Sequence, residues 1–265
     1  MTATVDDGPP WWTAPVLGAV GGAVDAAGFL VLFGLFTAHI SGNTTGLGVA
    51  VGSGDWQEAA KRVFMIPVFV ASTAAAVAAS ETIVRRDPSR AGHARALWFL
   101  LVIEAGLVVV FTASAATFGA GADFAVDSAA FFLIGSVASM AMGVQNAAFR
   151  RVSGLAVHTT FVTGQLTEAA VSFVHWRHAL RELRSLDQNT AAARSSLVAA
   201  RDAARASLNL SLAVWCAYLA GGIGSAWLVL NVSRWIVLIP VVVILATAAS
   251  IRRAGRAAVT SSATS

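Results

Sequence analysis

The sequence predicts an all-α polytopic membrane protein that crosses the bilayer six times, and two features of its composition indicate this class. Hydrophobic residues make up 57% of the 265 residues and charged residues only 12%, about half the charged fraction that is typical of soluble domains. The apolar residues are gathered into runs, such as 97–118 and 207–230. As helices, these runs are long enough to cross roughly 30 Å of hydrocarbon.

Six long apolar segments are expected to be the membrane-spanning helices, and they fall into two groups of three. The first group is predicted at Pro15–Ala38, Val63–Val84 and Ala96–Phe118. The second group is predicted at Val126–Phe149, Ser207–Leu230 and Trp235–Ile251. Each group holds one segment, then a shorter and more polar stretch, and then two further segments.

The two shorter stretches, SGNTTGLGVAVG at 41–52 and TGQLTEAAVSFV at 163–174, look like copies of one another. When Gly42 is aligned with Gly164, Asn43 is opposite Gln165, and serine or threonine stands before each glycine. This similarity predicts an internal duplication with repeats at 14–118 and 126–252. Three spans in each repeat are an odd number, so the repeats would be inverted relative to one another, as in many transporters.

The distribution of positive charge indicates that the short stretches do not cross the membrane. With six spans and a cytoplasmic N-terminus, only Lys61, Arg62 and Arg234 of the 18 lysines and arginines fall outside. With eight spans the positive charges divide far more evenly between the two sides. The positive-inside rule therefore favours six spans and two re-entrant half-helices. Lys61 and Arg62 are left on the outer side, with no explanation beyond the nearby Asp55 and Glu58.

Three segments lie outside the predicted spans. Residues 1–13 and 253–265 are expected to be an N-terminal tail and a disordered C-terminal tail, the latter rich in Ala, Thr and Ser. Residues 177–206 form an Arg-rich and Ala-rich insert, predicted to be a cytoplasmic helix. The insert is interpreted either as a solvated helix or as a helix that contacts anionic lipid headgroups.

The motifs resemble those of a known family. The stretch GGAVDAAGFLVLFGLFTAHISGNTTGLG at 21–48 is similar to the first signature of the YoaK-like family of uncharacterised bacterial membrane proteins, and MGVQNAAFRRV at 142–152 with HTTFVTGQLT at 158–167 is similar to the second. The resemblance implies a six-span protein of the inner membrane and implies no activity. Gln165, where the family usually has asparagine, and the insert at 177–206 depart from the family pattern.

The two short stretches are the candidate substrate site. Glycine permits a tight turn, and the polar side chains beside it can cap the half-helices. The half-helix N-termini carry partial positive charge, which favours an anion or a polar solute. The predicted substrate-binding residues are Asp25, His39, Gly42, Asn43, Thr44, Gln145, Asn146, His158, Thr163, Gly164, Gln165 and Thr167. The alternative interpretation is that these residues only close helix ends inside a packed bundle.

Asp25, Glu104 and Glu168 lie within apolar segments, where an ionisable group is costly and is a functional candidate by default. Asp25 aligns with Gln145 and Asn146 of the second copy and is a candidate for proton or cation coupling. It is equally consistent with a hydrogen-bonded aspartate that fixes helix packing. His39 and His158 have no carboxylates at metal-ligand spacing, so neither a metal nor a cofactor is expected.

These features together predict a transporter or channel for a small polar or anionic solute, with its site at the repeat interface. The alternative is a non-transporting membrane scaffold that binds lipid or a partner. No catalytic motif supports an enzyme. The +4 net charge lies in short inter-helix clusters, which argues against nucleic acid. The expected partners are the lipid bilayer and the solute, homo-oligomerisation is left open, and the expected location is the bacterial inner membrane with both termini cytoplasmic.

Overall fold

The computed structural model describes residues 9–117, 128–148, 151–152, 155–156, 162–185 and 191–262. The eight α-helices in these ranges are α1 Thr13–Val31, α2 Ile40–Ser53, α3 Trp56–Arg86, α4 Arg90–Thr117, α5 Ala129–Ala148, α6 Val162–Ser185, α7 Ala191–Asn231 and α8 Leu238–Ser262. A 3₁₀ turn at Arg234–Val237 precedes α8. Two-residue strands at Arg151–Val152 and Leu155–Ala156 pair antiparallel between α5 and α6.

Six of the helices are long and apolar enough to cross a membrane. They are Thr13–Val31, Trp56–Arg86, Arg90–Thr117, Ala129–Ala148, Ala191–Asn231 and, with the 3₁₀ turn, Arg234–Gly255. The prediction of a helical chain with six candidate spans is therefore confirmed. The outward faces of α3 and α7 are largely exposed apolar side chains, as expected for surfaces that face lipid rather than water.

The first span ends earlier than the sequence predicts. The prediction carried it to Ala38, but α1 ends at Val31, because Phe33 and Gly34 adopt positive φ angles of 51° and 84° that turn the chain out of the helix. Gly34 tolerates such an angle without cost, whereas Phe33 is strained by it. Residues 32–39 therefore form an irregular link between α1 and α2.

The insert and the C-terminal tail also differ from the sequence prediction. The described residues of the insert do not form a separate helix, since 177–185 are the end of α6 and 191–206 are the start of α7. At 41 residues α7 is roughly 60 Å long, about twice the thickness of the hydrocarbon core. The tail predicted to be disordered is helical to Ser262, in keeping with the high helix propensity of its alanines and arginines.

Close contacts give the relative directions of the helices. Gly18 lies against Val214 and Gly22 against Tyr218, so α1 and α7 run parallel. In the same way, Met65 lies against Gly135 and Ser72 against Gly143, so α3 and α5 run parallel. α4 and α8 run antiparallel, as shown by two contacts at opposite ends of the pair, Trp98 with Arg252 and Ala115 with Arg234.

Arginines of the described helices gather at one end of the bundle, which we call the basic end. Here α3 ends, α4 begins and α8 leaves the apolar core, and the residues are Arg85, Arg86, Arg90, Arg95, Arg252 and Arg253. The opposite, distal end carries Lys61, Arg62 and Arg234. The apolar core between the two ends is built mainly from α1, α4, α5, α7 and α8.

The two cations that the sequence left unexplained at the distal end have a structural partner. Asp55 caps α3 by accepting a hydrogen bond from the Glu58 backbone N–H at 2.9 Å. Glu58 then pairs with both Lys61 and Arg62, one turn further along the helix. The guanidinium of Arg62 fills the space that the missing side chain of Gly46 leaves on α2. These contacts join α2 to α3 as a helical hairpin.

The α1–α7 contact makes a testable prediction about stability. A β-carbon at Gly22 would overlap the backbone carbonyl of Tyr218, which is part of a helix and cannot move aside cheaply. Gly22→Ala should therefore destabilise the detergent-solubilised protein by about 1–3 kcal/mol, measured by thermal unfolding. Gly48→Ala is the matched control, because a β-carbon there meets nothing within 4 Å. Equal melting temperatures for the two variants would contradict the packing described.

Candidate functional site

The carboxylate of Asp25 lies inside the bundle, six residues before the end of α1, with a side chain that is only 4% exposed. Its Oδ1 accepts hydrogen bonds from the Thr37 backbone N–H at 2.7 Å, the Thr37 hydroxyl at 2.9 Å and the Ala38 backbone N–H at 2.8 Å. Three donors on one oxygen hold the irregular link against α1. Gly28 allows Thr37 to lie close to α1, because a β-carbon at position 28 would overlap the Thr37 side chain.

The second oxygen of Asp25 connects the link to α7. The Tyr218 hydroxyl donates to Oδ2 at 2.8 Å, and His39 Nδ1 lies 2.7 Å from the same oxygen. Tyr218 oxygen and His39 Nδ1 are also 3.1 Å apart. Since the single Tyr218 hydrogen is given to Asp25, His39 Nδ1 must carry a proton and donate in this arrangement. We call these three side chains, with Thr37, the Asp25 cluster.

The Asp25 cluster surrounds a buried carboxylate and is partly exposed at His39 and Tyr218. Asp25 is buried, whereas the His39 side chain is 26% exposed. The rings of Phe36 and Tyr218 each lie with their centroids 5.5 Å from that of His39. An imidazole that touches a buried carboxylate on one edge and the exterior on the other can carry a proton or a solute contact between them.

Asn43 holds the link from the α2 side. Its Nδ2 donates to the Phe36 carbonyl at 2.7 Å, and its Oδ1 accepts from the Phe36 backbone N–H at 3.1 Å. The side chain is fully buried. Asn43 therefore completes the backbone hydrogen bonding of a residue that no helix can satisfy.

The structure corrects the predicted turn at Ser41–Asn43. These residues lie in the first turn of α2, which begins at Ile40 with His39 as its N-cap and no side-chain cap hydrogen bond. Gly42 is not a turn residue; its missing side chain leaves room for the Phe36 ring. Asn43 reaches back beyond the N-cap because the link, rather than the helix end, needs its two hydrogen bonds.

The other predicted site residues of the first copy and of α5 are Thr44, Gln145 and Asn146. Thr44 is exposed and bonds to the Ile40 carbonyl of its own helix at 2.8 Å. Gln145 is buried on α5 and donates through Nε2 to the Leu17 carbonyl, about two helical turns from Asp25 along α1. Its neighbour Asn146 is half-buried.

The second short segment forms the start of α6, which packs on α7. Gln165 is buried, Gly164 is half-buried, and Thr163 and Thr167 are exposed. His158 lies outside the described residues, as do most of the positions that would correspond to the link in the first copy, namely 154 and 157–161. The described residues therefore give one complete polar cluster, in the first half.

The two glutamates in apolar segments differ sharply. Glu168 on α6 accepts hydrogen bonds from Ser172 at 3.1 Å and from Ser207 at 2.8 Å, which joins α6 to α7. Glu104 on α4 is fully buried, and neither of its carboxyl oxygens has a hydrogen-bond partner within the described part of the chain.

Sequence reasoning missed Tyr218. It is the single tyrosine in the chain and lies in an apolar span, where a buried hydroxyl needs a partner. That signal marks Tyr218 as a candidate site residue, but its pairing with Asp25, 193 positions away, depends on how the helices pack.

Two cavities lie away from the Asp25 cluster. The larger, about 670 Å³, opens at the basic end between α3, α4, α5 and α8. The smaller, about 220 Å³, is an apolar groove between α1, α7 and α8.

The model of a family described as a protein of unknown function, DUF1275, matches residues 13–250. No curated protein and no solved structure matches the chain. The family match covers five of the candidate spans in full, the sixth as far as residue 250, and the whole of the Asp25 cluster.

The Asn43 contacts lead to a second prediction. Asn43→Ala should destabilise the protein by about 1–3 kcal/mol, because it leaves the N–H and the carbonyl of Phe36 without partners. The measurement is thermal unfolding in detergent. Thr44→Ala is the control, since Thr44 is exposed and bonds only within its own helix. A control variant that melts as low as Asn43→Ala would show that the loss does not come from the link.

Proposed function

The chain belongs to the DUF1275 family of proteins of unknown function, and we propose that it is a transporter or channel for a small polar or anionic solute. The Asp25 cluster is the observation that carries the proposal, because an ionisable group at this depth is rarely retained without a function. The proposed role is transport rather than catalysis. The narrower YoaK-like grouping is a further proposal, supported by the motifs at 21–48 and 142–167.

The donors around Asp25 support an anionic or polar solute. Two backbone N–H groups, two hydroxyls and an imidazole converge on one carboxylate. The same donors suit the oxygens of a solute carboxylate or phosphate. In the proposed cycle, Asp25 takes up a proton and leaves these donors, and the solute reaches them past His39.

The position of the irregular link supports a moving part. Non-helical backbone at membrane depth is tolerated only where it is buried in protein or lines a polar cavity. Residues 32–39 are held by Asp25, by Asn43 and by ring contacts of Phe36 rather than by a helix. Breaking the bonds to one carboxylate would free the link, so protonation of Asp25 is a suitable trigger for opening.

The inverted duplication is part of the proposal, and the packing pattern supports it. If α1–α4 correspond to α5–α8, the α1–α7 pair has the α5–α3 pair as its counterpart, and both pairs run parallel. The α2–α3 pair likewise has α6–α7 as its counterpart, and α4–α8 is its own counterpart. A pseudo-two-fold axis through the α4–α8 contact would produce this pattern.

The proposal also treats α2 and α6 as re-entrant half-helices from opposite sides. Gly46 of α2 lies level with Arg62, near the distal end of α3, and the start of α2 reaches inward to Asp25. On the other side, Glu168 of α6 lies level with Ser207 of α7. Since α1 and α7 are level at Gly18 and Val214, Ser207 lies near the basic end, and the start of α6 points inward from there.

The orientation in the membrane follows from charge. The basic end carries most of the arginines of the described spans, which favours the cytoplasmic side. Pro9 and Pro10 near the N-terminus line the cavity at this end together with Ile251 of α8. We therefore place both termini in the cytoplasm and the protein in a bacterial inner membrane.

Transport is tested with purified protein in liposomes and a panel of labelled small anions and polar solutes. Asp25→Asn and Tyr218→Phe should each reduce flux of the transported solute by roughly tenfold or more, because each removes a charged or charge-assisted hydrogen bond from the cluster. Thr82→Ala is the control, since Thr82 is exposed on α3 and bonds only to Ala78 of its own helix. Unchanged flux in Asp25→Asn would overturn the role of the Asp25 cluster, and absence of flux of every panel solute in the parent protein would leave the scaffold alternative.

The re-entrant geometry is tested by labelling single cysteines in a Cys216→Ser background with a membrane-impermeant maleimide. Ser41 and Ser53, both exposed at opposite ends of α2, should react from the same side of the membrane once converted to cysteine. Arg90→Cys should react only from the other side. Labelling of positions 41 and 53 from opposite sides would mean that α2 crosses the membrane, and the proposed half-helix would be wrong.

A further inference from the structure

Glu104 is a second carboxyl group inside the membrane-spanning bundle, and the Asp25 cluster does not use it. It lies near the middle of α4, has no exposed surface, and neither carboxyl oxygen has a hydrogen-bond partner in the described ranges. A carboxylate without donors or a counter-ion is far more costly in such a place than the neutral acid. The geometry is therefore that of a carboxyl group carrying a proton.

No charged side chain of the neighbouring described helices faces Glu104. α4 packs on α3, α5 and α8, and α5 has no charged residue between Ala129 and Ala148. On α8 the first charged residue is Arg252, which stacks on Trp98 with 4.4 Å between the guanidinium carbon and the ring centroid.

The remaining neighbours carry their charges toward the two ends of the bundle. α3 has none between Arg62 and Glu81, whereas Leu100, one turn before Glu104, packs on Ala76. The 3₁₀ turn before α8 contributes Arg234, which donates to the Ala115 carbonyl about three turns beyond Glu104 along α4. Among the residues that the structure describes, none therefore gives Glu104 a cation that would hold it as a carboxylate.

The cavity at the basic end approaches Glu104 from the side where the arginines lie. Arg90 and His93 line it, and Ala96 and Leu100 line it deeper along the same face of α4. Leu100 is only 1% exposed and precedes Glu104 by four residues, which is about 6 Å along a helix and on the same face. One helical turn, covered by Leu100, separates the cavity from the acid.

We propose that Glu104 is a proton-binding site of this protein, loaded and unloaded from the basic end through the cavity when the Leu100 side chain moves aside. On release, the O–H bond of the acid breaks, its electron pair stays on the carboxylate, and the proton passes to a water molecule that enters the cavity. The inference rests on the proposed transport function and deepens it, because it gives the proton of the cycle a second binding site that is loaded from the basic end. Proton binding itself needs no transported solute, so the two proposals can fail separately.

The experiment is infrared spectroscopy of the full-length protein in lipid nanodiscs at neutral pH. The parent protein should show the C=O stretch of a protonated carboxyl group, and Glu104→Gln, which keeps the shape of the side chain, should remove that band. Glu168→Gln is the matched control and should leave the band, since Glu168 is exposed and accepts hydrogen bonds from two serines. A band that survives in a folded, monodisperse Glu104→Gln protein would overturn the assignment.

The proposed proton route through the cavity is tested by transferring the protein into heavy water. The carboxyl C=O band shifts as Glu104 exchanges its proton for a deuteron. Leu100→Ala should speed this exchange by roughly tenfold or more, because the substitution removes the side chain between the cavity and Glu104. Leu219→Ala, an exposed leucine on α7, is the control and should leave the rate unchanged. Equal exchange rates in Leu100→Ala and the parent protein would overturn the proposed route through the cavity.

Discussion

A carboxylate can remain inside a membrane-spanning bundle only if donors replace the water it has lost, and in this protein the donors come from a chain segment that also needs partners. Asp25 accepts five hydrogen bonds, three of them from Thr37 and Ala38. Those residues lie in irregular backbone, where no helix supplies the missing hydrogen bonds. The carboxylate and the link thus satisfy one another, and Tyr218 extends the arrangement to α7.

The rest of the architecture is arranged around this contact. α1 and α7 approach closely through Gly22, Gly221 and Gly222, which brings the Tyr218 hydroxyl within reach of Asp25. Asn43 closes the link from the α2 side, and α2 is in turn joined to α3 by Arg62 over Gly46. The proposed transport cycle uses the same bonds, because protonating one carboxyl group would release the link, α2 and α7 together.

The six spans were predictable from sequence because a lipid environment imposes a minimum length of apolar helix, which composition alone reveals. The irregular link at residues 32–39 was not predictable from sequence. Phe33 has a positive φ angle there, which phenylalanine usually avoids and which tertiary packing imposes. Asp25 and His39 could be nominated because charge and imidazole stand out in apolar runs. Their partner Tyr218 could not be assigned, because a hydrogen bond between residues 25 and 218 depends on helix packing rather than on local pattern.

The most direct test of the Asp25 contact is a double-mutant cycle on the free energy of unfolding, with Asp25→Asn, Tyr218→Phe and the double variant in the same detergent. If the Tyr218 hydroxyl donates to the buried carboxylate, the two substitutions should be non-additive, with a coupling of about 0.5–3 kcal/mol. If the effects of the two substitutions simply add, Tyr218 and Asp25 do not interact, and the Asp25 cluster does not connect α7 to α1 and α2.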